Sequence, residues 1–255
     1  MKKVLWQELR RTEFEQAVKA GAIVIIPVAS TEQHGDHLPV NTDAIQCFTI
    51  AQRAAQAIEE FPVLVLPLIW TGCSANMMVY PGTITLKYHT FVDLLTQVAV
   101  SVYANGFKKI LFLNGHGGNT YIVDSMRNKL AADDGVSTLV VGYTWWNIPS
   151  ISKEMEIISE SDKGVIGHAG ELETAMQLYL QPELVDTDSA IWAPGVRGDP
   201  STGTREKGER LCNAAVDGVV KILRDYHSGK LEYSLRRYGK GIFVGHKTID
   251  IDDPK

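Results

Sequence analysis

Short apolar runs, each followed by a polar or glycine-containing turn and then by a helical pattern, constrain the fold of this chain most strongly. The first run, Ile23–Val28, is continuously apolar, as expected of a strand that is covered on both faces. Strands that alternate with helices form a mostly parallel sheet, because each crossover helix carries the chain back to the same edge. The sequence therefore predicts an α/β fold in which a mostly parallel sheet lies between two helical layers.

The same periodicities place the remaining elements. Further strands are predicted at Val63–Pro67, at Ile110–Leu113 and within residues 137–146. Six helices are predicted from apolar spacing with capping or stop signals: Thr12–Ala20 with Thr12 as its cap, Ala44–Glu60, His89–Asn105, Thr120–Ala132, Leu172–Leu180 and Arg205–Tyr226. The tail after residue 229 is predicted to form an edge strand or an oligomer arm. Since no repeat or linker interrupts the pattern, residues 1–255 are expected to form a single domain.

Composition narrows the class of partner. The 255 residues are 45% hydrophobic and 22% charged, which is typical of a globular protein, and the formal net charge is −5. No run of lysine and arginine occurs, so neither nucleic acid nor an anionic membrane is expected as a partner. A small-molecule ligand fits these observations better.

The cysteines and the N-terminal segment indicate a cellular compartment. Cys47, Cys73 and Cys212 form no close pair, and an odd number leaves one over in any disulfide scheme. Charges recur through the first 21 residues, so the apolar core of a signal peptide is missing. No stretch approaches the roughly 18 apolar residues of a membrane span. We therefore expect a cytoplasmic protein.

Acidic and imidazole side chains follow the first and third predicted strands. Glu32 and His34 lie two residues apart in an extended segment, which directs both to one side, and Asp43 stands where the next helix begins. His116 lies in the turn NGHGGN. Because the carboxyl ends of parallel strands meet at one edge, these side chains are expected to converge there. Imidazole with carboxylate suits zinc, manganese or iron, and a carboxylate shared by two metals is typical of a two-metal hydrolytic centre.

Each of these motifs also has a simpler interpretation. Asp36 and His37 fit solvated loop residues, and NGHGGN could be a phosphate-binding turn at a helix N-terminus. It lacks the lysine and the spacing of the known phosphate-binding motifs. Gly115, Gly117 and Gly118 could take positive φ values and let a ligand approach the backbone closely.

The segment GHAGELET and a pair of tryptophans add further candidates. His168 is the candidate general acid. Glu173 could be a metal ligand or a carboxylate that orients a histidine, and Glu171 could serve the dipole of the helix that begins there. Trp145 and Trp146 fit either the core or, for one of them, a platform for the substrate.

Several motifs taken together resemble the creatininase (creatinine amidohydrolase) family. They are VASTEQHGDHLPVNTD, YPGTITL, NGHGGN, GHAGELET and GDPSTGTREKGE, in that order, and they span residues from about 23 to 219. The resemblance implies a three-layer α/β/α fold, two divalent metal ions such as zinc or manganese, and frequently a hexamer. By the same resemblance, Glu32, Asp43 and His116 hold one metal, His34 holds the second with Asp43 bridging, and His168 passes a proton to the leaving group.

The chain departs from creatininase itself in two places. Where creatininase has a glutamate that serves the second metal, this chain has Gly118, and Glu173 is the best replacement with Glu171 as second choice. The stretch KGVIGH lacks the substrate-covering tryptophan and the acidic residues of creatininase, although Trp145 falls where another active-site tryptophan is expected. These differences argue against creatinine as the substrate.

The expectation for function is a metal-dependent hydrolase that cleaves the C–N bond of an amide, cyclic or not, or of a formamide in a small polar compound. His168 and Glu173 are the expected catalytic residues, and Ser74, Tyr80, Gly117 and Trp145 are expected to contact the substrate. Hydrolytic C–C ring opening of a cyclic diketone, such as an oxidised inositol, is the alternative reaction. A protein that binds metal or ligand on the same fold without turnover is the alternative outside enzymes.

Overall fold

The computed structural model describes residues 3–136, 140–161, 164–231, 242–244 and 247–249. Strands and helices alternate through most of this range, as the sequence predicts. The helices are α1 Arg11–Lys19, α2 Thr42–Ala57, α3 Tyr88–Ala104, α4 Thr120–Ala132, α5 Pro149–Ile158, α6 Glu171–Leu180 and α7 Arg205–His227. The strands are β1 Ile23–Val28, β2 Val63–Val65, β3 Lys109–Asn114, β4 Val140–Thr144, β5 Ile242–Val244 and β6 Lys247–Ile249.

Four parallel strands form the central sheet in the order β2-β1-β3-β4. Ile23 lies opposite Val63 on one side and opposite Lys109 on the other, so β1 and β3 are the central pair. The chain first moves from β1 to β2 at one edge and then crosses to β3 on the other side of β1. The predicted α/β class is confirmed.

Alternate residues of the central strands enter two separate cores. Ile23 and Ile25 pack in the core that includes residues of α2, α5, α6 and α7. Val24 and Ile26 pack in the core that includes residues of α1, α3 and α4. The continuous apolar run of β1 therefore reflects a sheet with helices on both faces, because no strand position can be left to solvent.

The element bounds agree closely with prediction in some places and not in others. Ile23–Val28 and Thr120–Ala132 are confirmed at both ends. The first helix begins at Arg11 rather than Thr12, and the Arg10 N–H donates to Glu13 Oε2 (2.8 Å), so Thr12 is not the cap. Helix α5 was not predicted, although Pro149 at its first turn is a typical start signal.

The C-terminal tail differs from the predicted edge strand. β5 and β6 pair antiparallel with each other, and neither joins the four-stranded sheet. The oligomer arm stays a prediction. Residues 137–139 of the predicted fourth strand lie outside the described residues. Within the described ranges, no helix is both long and apolar enough to cross a lipid bilayer.

Candidate active site

The polar segments after β1 and β3 begin side by side at the carboxyl edge of the sheet. The Gly115 N–H donates to the Val28 carbonyl oxygen (2.8 Å), which joins the ends of these two strands. The chain leaves β1 toward one edge of the sheet and β3 toward the other, so a crevice opens between them. Such a point, where the strand order reverses, is where open α/β sheets bind ligands.

A glycine lets the start of α2 lie against the end of β3. A Cβ on Gly115 would come 2.5 Å from the Cys47 Cβ and 3.0 Å from the Asp43 carbonyl oxygen. Any larger residue would push the first turn of α2 away. With glycine there, the Asp43 carboxylate reaches His116, and Asp43 Oδ2 lies 2.9 Å from His116 Nδ1.

The predicted ligands form two groups of buried side chains that share Asp43. Asp43 Oδ2 faces His116 Nδ1, which is also 3.2 Å from Glu32 Oε1. The other oxygen, Asp43 Oδ1, lies 3.2 Å from His34 Nε2, which is 3.6 Å from Glu173 Oε2. In each group, one ligand atom per residue lies within 4.8 Å of the others. One carboxylate therefore stands between two triads, with one oxygen turned to each.

The hydrogen bonds of His34 and His116 determine which ring nitrogen carries the proton and which one presents a lone pair to the carboxylates. His34 Nδ1 lies 3.0 Å from the Glu32 carbonyl oxygen, and His116 Nε2 lies 3.2 Å from the Cys73 carbonyl oxygen and 3.1 Å from Ser74 Oγ. Because a carbonyl oxygen only accepts, each of these nitrogens is the donor. In the neutral rings, His34 Nε2 and His116 Nδ1 then present lone pairs to carboxylates. This is how metal-binding histidines are oriented by their surroundings.

Protons stabilise these contacts when no metal is present. Burial opposes protonation of His34, but the carboxylates of Glu173 and Asp43 outweigh it and raise the pKa of His34 well above its usual value. Burial is outweighed in the same way at His116, where Asp43 and Glu32 raise the pKa to about 10. Burial alone would raise the pKa of Asp43, but the two imidazoles hold it well below its usual range.

The donor set fits divalent cations. Glu32 Oε2 and His34 Nε2 are buried and have no hydrogen-bond partner among the described residues. Three buried carboxylates, on Glu32, Asp43 and Glu173, have only imidazoles, and no lysine or arginine, within 4.0 Å as possible cationic partners among the described residues. Buried carboxylates that lack such partners are rare unless they bind metal.

His168 lies beside the first group of side chains. Its Nε2–H donates to the Gln33 carbonyl oxygen (2.8 Å), and its Nδ1 lies 3.5 Å from Glu32 Oε1. The next residue, Ala169, has a φ of 53°, which turns its N–H toward Glu173 Oε2. One tight turn thus orients both His168 and Glu173.

Glu171 and Glu173 occupy different places. Glu171 accepts hydrogen bonds from the Glu160 and Ser161 N–H groups, and Lys207 Nζ lies 2.6 Å from its Oε1. It therefore lies outside the two triads, whereas Glu173 belongs to one of them. Of the two alternatives weighed for the missing ligand, only Glu173 has a suitable position.

A cavity of about 240 Å³ opens over the triads. Gly117 and His168 line it as predicted, and so does Trp146. Trp145 does not line it, because the side chain points into the core and is 1% exposed. The three-residue 3₁₀ turn that holds both tryptophans directs only the second one outward. The predicted substrate contact of Trp145 therefore does not fit the structure.

The other two predicted substrate residues also differ in position. Ser74 is fully buried, and its Oγ lies 2.5 Å from Ser30 Oγ on the far side of His116, so it supports that imidazole instead of lining the cavity. Tyr80 lines a neighbouring cavity of about 290 Å³. Asn76, Met77 and Arg197 line both cavities.

The glycines of the NGHGGN turn act by close approach and not by positive φ. None of the three has a positive φ. A Cβ on Gly118 would lie 2.2 Å from the Cys73 carbonyl oxygen and 2.6 Å from His116 Nε2. A glutamate at this position would displace the hydrogen bond that orients His116. The carboxylates that face His116 also make this turn unsuitable for phosphate.

Several site residues were missed or misjudged from sequence. His37 is buried, and its Nε2 lies 2.9 Å from Thr174 Oγ1, while Asp36 is exposed as expected. Asn114 holds the His116 backbone, since its Nδ2 donates to the His116 carbonyl oxygen (2.7 Å). No local pattern in the sequence indicated Arg197. Asn114 could have been recognised, because it is both the last residue of β3 and the first residue of NGHGGN.

The comparisons with known proteins agree with this geometry. The sequence model of the creatininase family, described as creatinine amidohydrolase, matches residues 7–223. Creatinine amidohydrolase of Pseudomonas putida is 26% identical over 257 residues, covering 88% of this chain and 97% of the relative. The mycofactocin precursor peptide peptidase of Mycobacterium tuberculosis (strain CDC 1551 / Oshkosh) is 28% identical, covering 84% of this chain and 89% of the relative.

A third relative and two solved structures complete the comparison. The 3-dehydro-scyllo-inosose hydrolase of Thermotoga maritima is 29% identical, covering 89% of this chain and 86% of the relative. A manganese form of creatininase superposes with a TM-score of 0.75 at 25% identity, covering 88% of this chain and 98% of that one. A zinc–zinc form of a creatininase variant gives the same values.

Proposed function

The chain belongs to the creatininase family, and from that premise we propose that it is a metal-dependent hydrolase that cleaves an amide-type C–N bond in a small polar compound. The observation that carries the proposal is the position of Asp43, whose two carboxylate oxygens face two separate triads of buried ligand atoms. The cavity of about 240 Å³ above them has room for a small molecule. Residues 1–255 are proposed as one hydrolase domain.

The two triads support a proposal for the ligands of two divalent ions. Glu32, Asp43 and His116 would hold one, and His34, Asp43 and Glu173 would hold the other, with Asp43 shared. Zinc and manganese are the proposed metals, since creatininase structures in manganese and zinc–zinc forms resemble this chain, and Fe²⁺ also suits the donor set. When bound, such ions polarise a carbonyl oxygen and lower the pKa of water.

His168 is the proposed proton-transfer residue. Its Nε2–H is committed to the Gln33 carbonyl oxygen, which leaves Nδ1 beside Glu32 as the atom that can accept and return a proton. An amine leaves readily only when it is protonated, so a histidine at this place suits C–N cleavage. Trp146 and Ile166 add apolar surface to the cavity wall and exclude water from one side of the substrate.

A second reaction of the same site is hydrolytic C–C ring opening of a cyclic diketone. The observation that favours it is the 29% identity with the inosose hydrolase of Thermotoga maritima, which exceeds the identity with the other two relatives named above. The same proton transfer by His168 would then serve a carbon leaving group. A protein that binds metal without turnover is the outcome if hydrolysis is absent.

Assembly and location complete the proposal. Trp70, Val79 and Tyr88 are exposed by 51%, 78% and 63% in one segment, and exposed apolar side chains of this kind mark interfaces. We propose a homo-oligomer, specifically a hexamer, which a mass measurement by light scattering tests. The three free cysteines support a cytoplasmic location, which fluorescent tagging in cells tests.

Metal analysis followed by an activity screen tests the proposed function. The purified protein should hold about two divalent ions per chain, and it should release amine from at least one member of a panel of lactams and formamides. Glu32→Gln serves as the blank, since Glu32 Oε1 faces His116 within the first triad. Acid formation from a cyclic diketone without amine release would instead support the C–C reaction. Absence of bound metal under any loading condition would overturn the proposal.

A further inference from the structure

A single arginine lies between the active-site cavity and the neighbouring one. Arg197 lines both the cavity of about 240 Å³ and that of about 290 Å³. The uncharged Asn76 and Met77 are the other side chains that line both. The guanidinium is permanently charged, and no carboxylate among the described residues lies within 4.0 Å of it. By contrast, arginines such as Arg210, which pairs with Glu154, do not line the cavity.

The backbone holds Arg197 directly opposite His168. The His168 N–H donates to the Arg197 carbonyl oxygen (2.9 Å), and the Arg197 N–H donates to the His168 carbonyl oxygen (2.8 Å). Two residues that exchange both hydrogen bonds in this way form a directly opposed antiparallel pair, and their side chains leave on the same face. The guanidinium therefore starts from the face on which the His168 imidazole meets Glu32.

The loop that carries Arg197 is also anchored to the metal-ligand segment. Gln33, between Glu32 and His34, donates from Nε2 to the Gly195 carbonyl oxygen (3.2 Å). Val196 packs in a small buried cluster with Leu38 and Ala169. Because the backbone on both sides is fixed, Arg197 is held at a defined distance from the reacting groups, as a substrate-anchoring residue must be.

The charges of the site favour an anionic ligand. Two divalent ions carry one positive charge more than the three carboxylates that would hold them, and Arg197 adds another at the cavity mouth. The other side chains that line the cavity outside the triads and His168 are uncharged. A neutral substrate would leave the guanidinium without a partner as it loses water on ligand binding, whereas an anionic group would pair with it.

We propose that Arg197 binds an anionic oxygen group of the substrate, either a carboxylate or a phosphate, at the junction of the two cavities. This inference rests on the proposed function and narrows it to acidic amides. Arginine presents a planar fork of donors that matches both groups with two parallel hydrogen bonds, which lysine cannot do. The scissile carbonyl then lies toward the triads, and the rest of the substrate extends toward Tyr80.

Calorimetric binding to the metal-loaded protein tests the inference without turnover. The probes are benzoate, phenylphosphonate and benzyl alcohol, which share one ring and differ in the polar group. The wild type should bind at least one of the two anions about tenfold or more tightly than the alcohol. Arg197→Gln should reduce that preference by about 10- to 100-fold, the scale of a charge-assisted pair. Arg197→Lys should retain part of it, and Arg127→Gln, on α4 outside the cavity lining, serves as the matched control.

Each outcome decides the inference. A stronger effect on benzoate identifies a carboxylate, and a stronger effect on phenylphosphonate identifies a phosphate. If the wild type shows no preference for an anion, the inference is overturned, because the cavity then selects no anionic group. It is also overturned if Arg197→Gln retains the full preference, because the metals alone then hold the anion.

A hydrolysis experiment separates this inference from the proposed function. Dihydroorotate and dihydrouracil have the same cyclic amide and differ only in a carboxylate. The ratio of their kcat/KM values should favour dihydroorotate in the wild type and fall toward one in Arg197→Gln. Anion preference in calorimetry without hydrolysis of any panel compound would sink the proposed function and leave the anion site standing. If the enzyme hydrolyses these compounds but Arg197→Gln does not change the ratio of kcat/KM values, the proposed function stands and the anion site is overturned.

Discussion

Two glutamates at the start of α6 have the same chemistry and opposite surroundings. Glu171 and Glu173 both lie in the first turn, and they are 0% and 5% exposed. Two residues apart on an α-helix corresponds to about 200° around its axis, so the carboxylates leave on opposite sides. What each one meets there decides whether it stabilises the fold or serves the chemistry.

Glu171 is paired as a buried structural carboxylate should be. It accepts from two backbone N–H groups, those of Glu160 and Ser161, and Ser159 Oγ adds a third hydrogen bond. Lys207 supplies a permanent positive charge at 2.6 Å. The site therefore needs no further cation, and its carboxylate ties the loop after α5 to α7.

Glu173 has far less compensation. One backbone N–H, that of Ala169, donates to it, and the remaining neighbour at 3.6 Å is His34. Asp43 offers another carboxylate to the same triad. In the described chain no lysine or arginine lies within 4.0 Å of Glu173. Since burial and residue type are the same for both glutamates, the lack of a permanent cation beside Glu173 is what distinguishes the proposed metal ligand from the structural carboxylate.

Removing the shared carboxylate should have the largest effect. Asp43→Ala deletes the one group that faces both triads, so metal content should fall from about two ions per chain to near zero, and turnover should disappear with it. The loss of affinity should exceed the about 10- to 100-fold that follows removal of an outer hydrogen-bond partner. Elemental analysis after gel filtration measures the metal content.

The exposed Asp36 provides the control for Asp43. Asp36→Ala removes a carboxylate from the same loop, and metal content and turnover should stay at wild-type values. Circular dichroism checks that both variants are folded. Full metal content in a folded Asp43→Ala protein would refute the shared position.

The two glutamates of α6 can be exchanged for glutamine as a matched pair. Glu173→Gln should lose one of two ions, because its triad keeps only His34 and Asp43. Glu171→Gln should keep both ions but lower the free energy of unfolding by about 3 kcal/mol, since it leaves Lys207 without its buried partner. Metal analysis and denaturant titration measure the two effects.

Two outcomes would contradict the different roles of Glu171 and Glu173. If Glu171→Gln loses a metal ion while Glu173→Gln keeps both, the assignment of the second triad is wrong. If neither changes metal content, a group outside the triad completes the second position.

The features of this molecule that the sequence predicted are those that depend on local interactions. β1 and α4 were predicted to the residue because apolar period and helix signals lie within each segment. Glu32, His34, Asp43 and His116 were predicted to converge because the parallel strands of an α/β sheet end at one edge, and their convergence is what the structure shows.

The rest depended on contacts between distant segments or on side-chain direction. Arg197 is placed by its pairing with His168, which no local pattern encodes. The choice between Trp145 and Trp146 depends on the rotation of a 3₁₀ turn after β4. Helix α5 is different, because Ile151, Met155 and Ile158 have helical spacing after Pro149, and the sequence did contain that signal.

His168 separates proton transfer from metal binding. His168→Ala should reduce turnover roughly 100-fold or more, the usual scale for loss of a general acid or base, and should leave about two ions per chain. His168 is 3.5 Å from Glu32 but belongs to neither triad that contains Asp43. Steady-state kinetics with metal analysis tests this, and His89→Ala on the surface of α3 is the control. An unchanged rate would remove His168 from the mechanism.

The smallest effect is expected at Ala169, whose positive φ aims an N–H at Glu173. Ala169→Gly relieves about 1–2 kcal/mol of left-handed strain. It also gives the unfolded chain about 0.5–1 kcal/mol of extra freedom and removes a buried methyl group worth about 0.8 kcal/mol. These contributions nearly cancel, so the free energy of unfolding should change by less than about 1 kcal/mol and both metals should stay.

Ala169→Val cannot relax in the same way, because a β-branched residue tolerates this φ poorly, and it should destabilise the protein by about 1–3 kcal/mol. Denaturant titration measures both changes: a loss for Ala169→Gly as large as that for Ala169→Val would show that strain at this positive φ does not decide which residues the position tolerates.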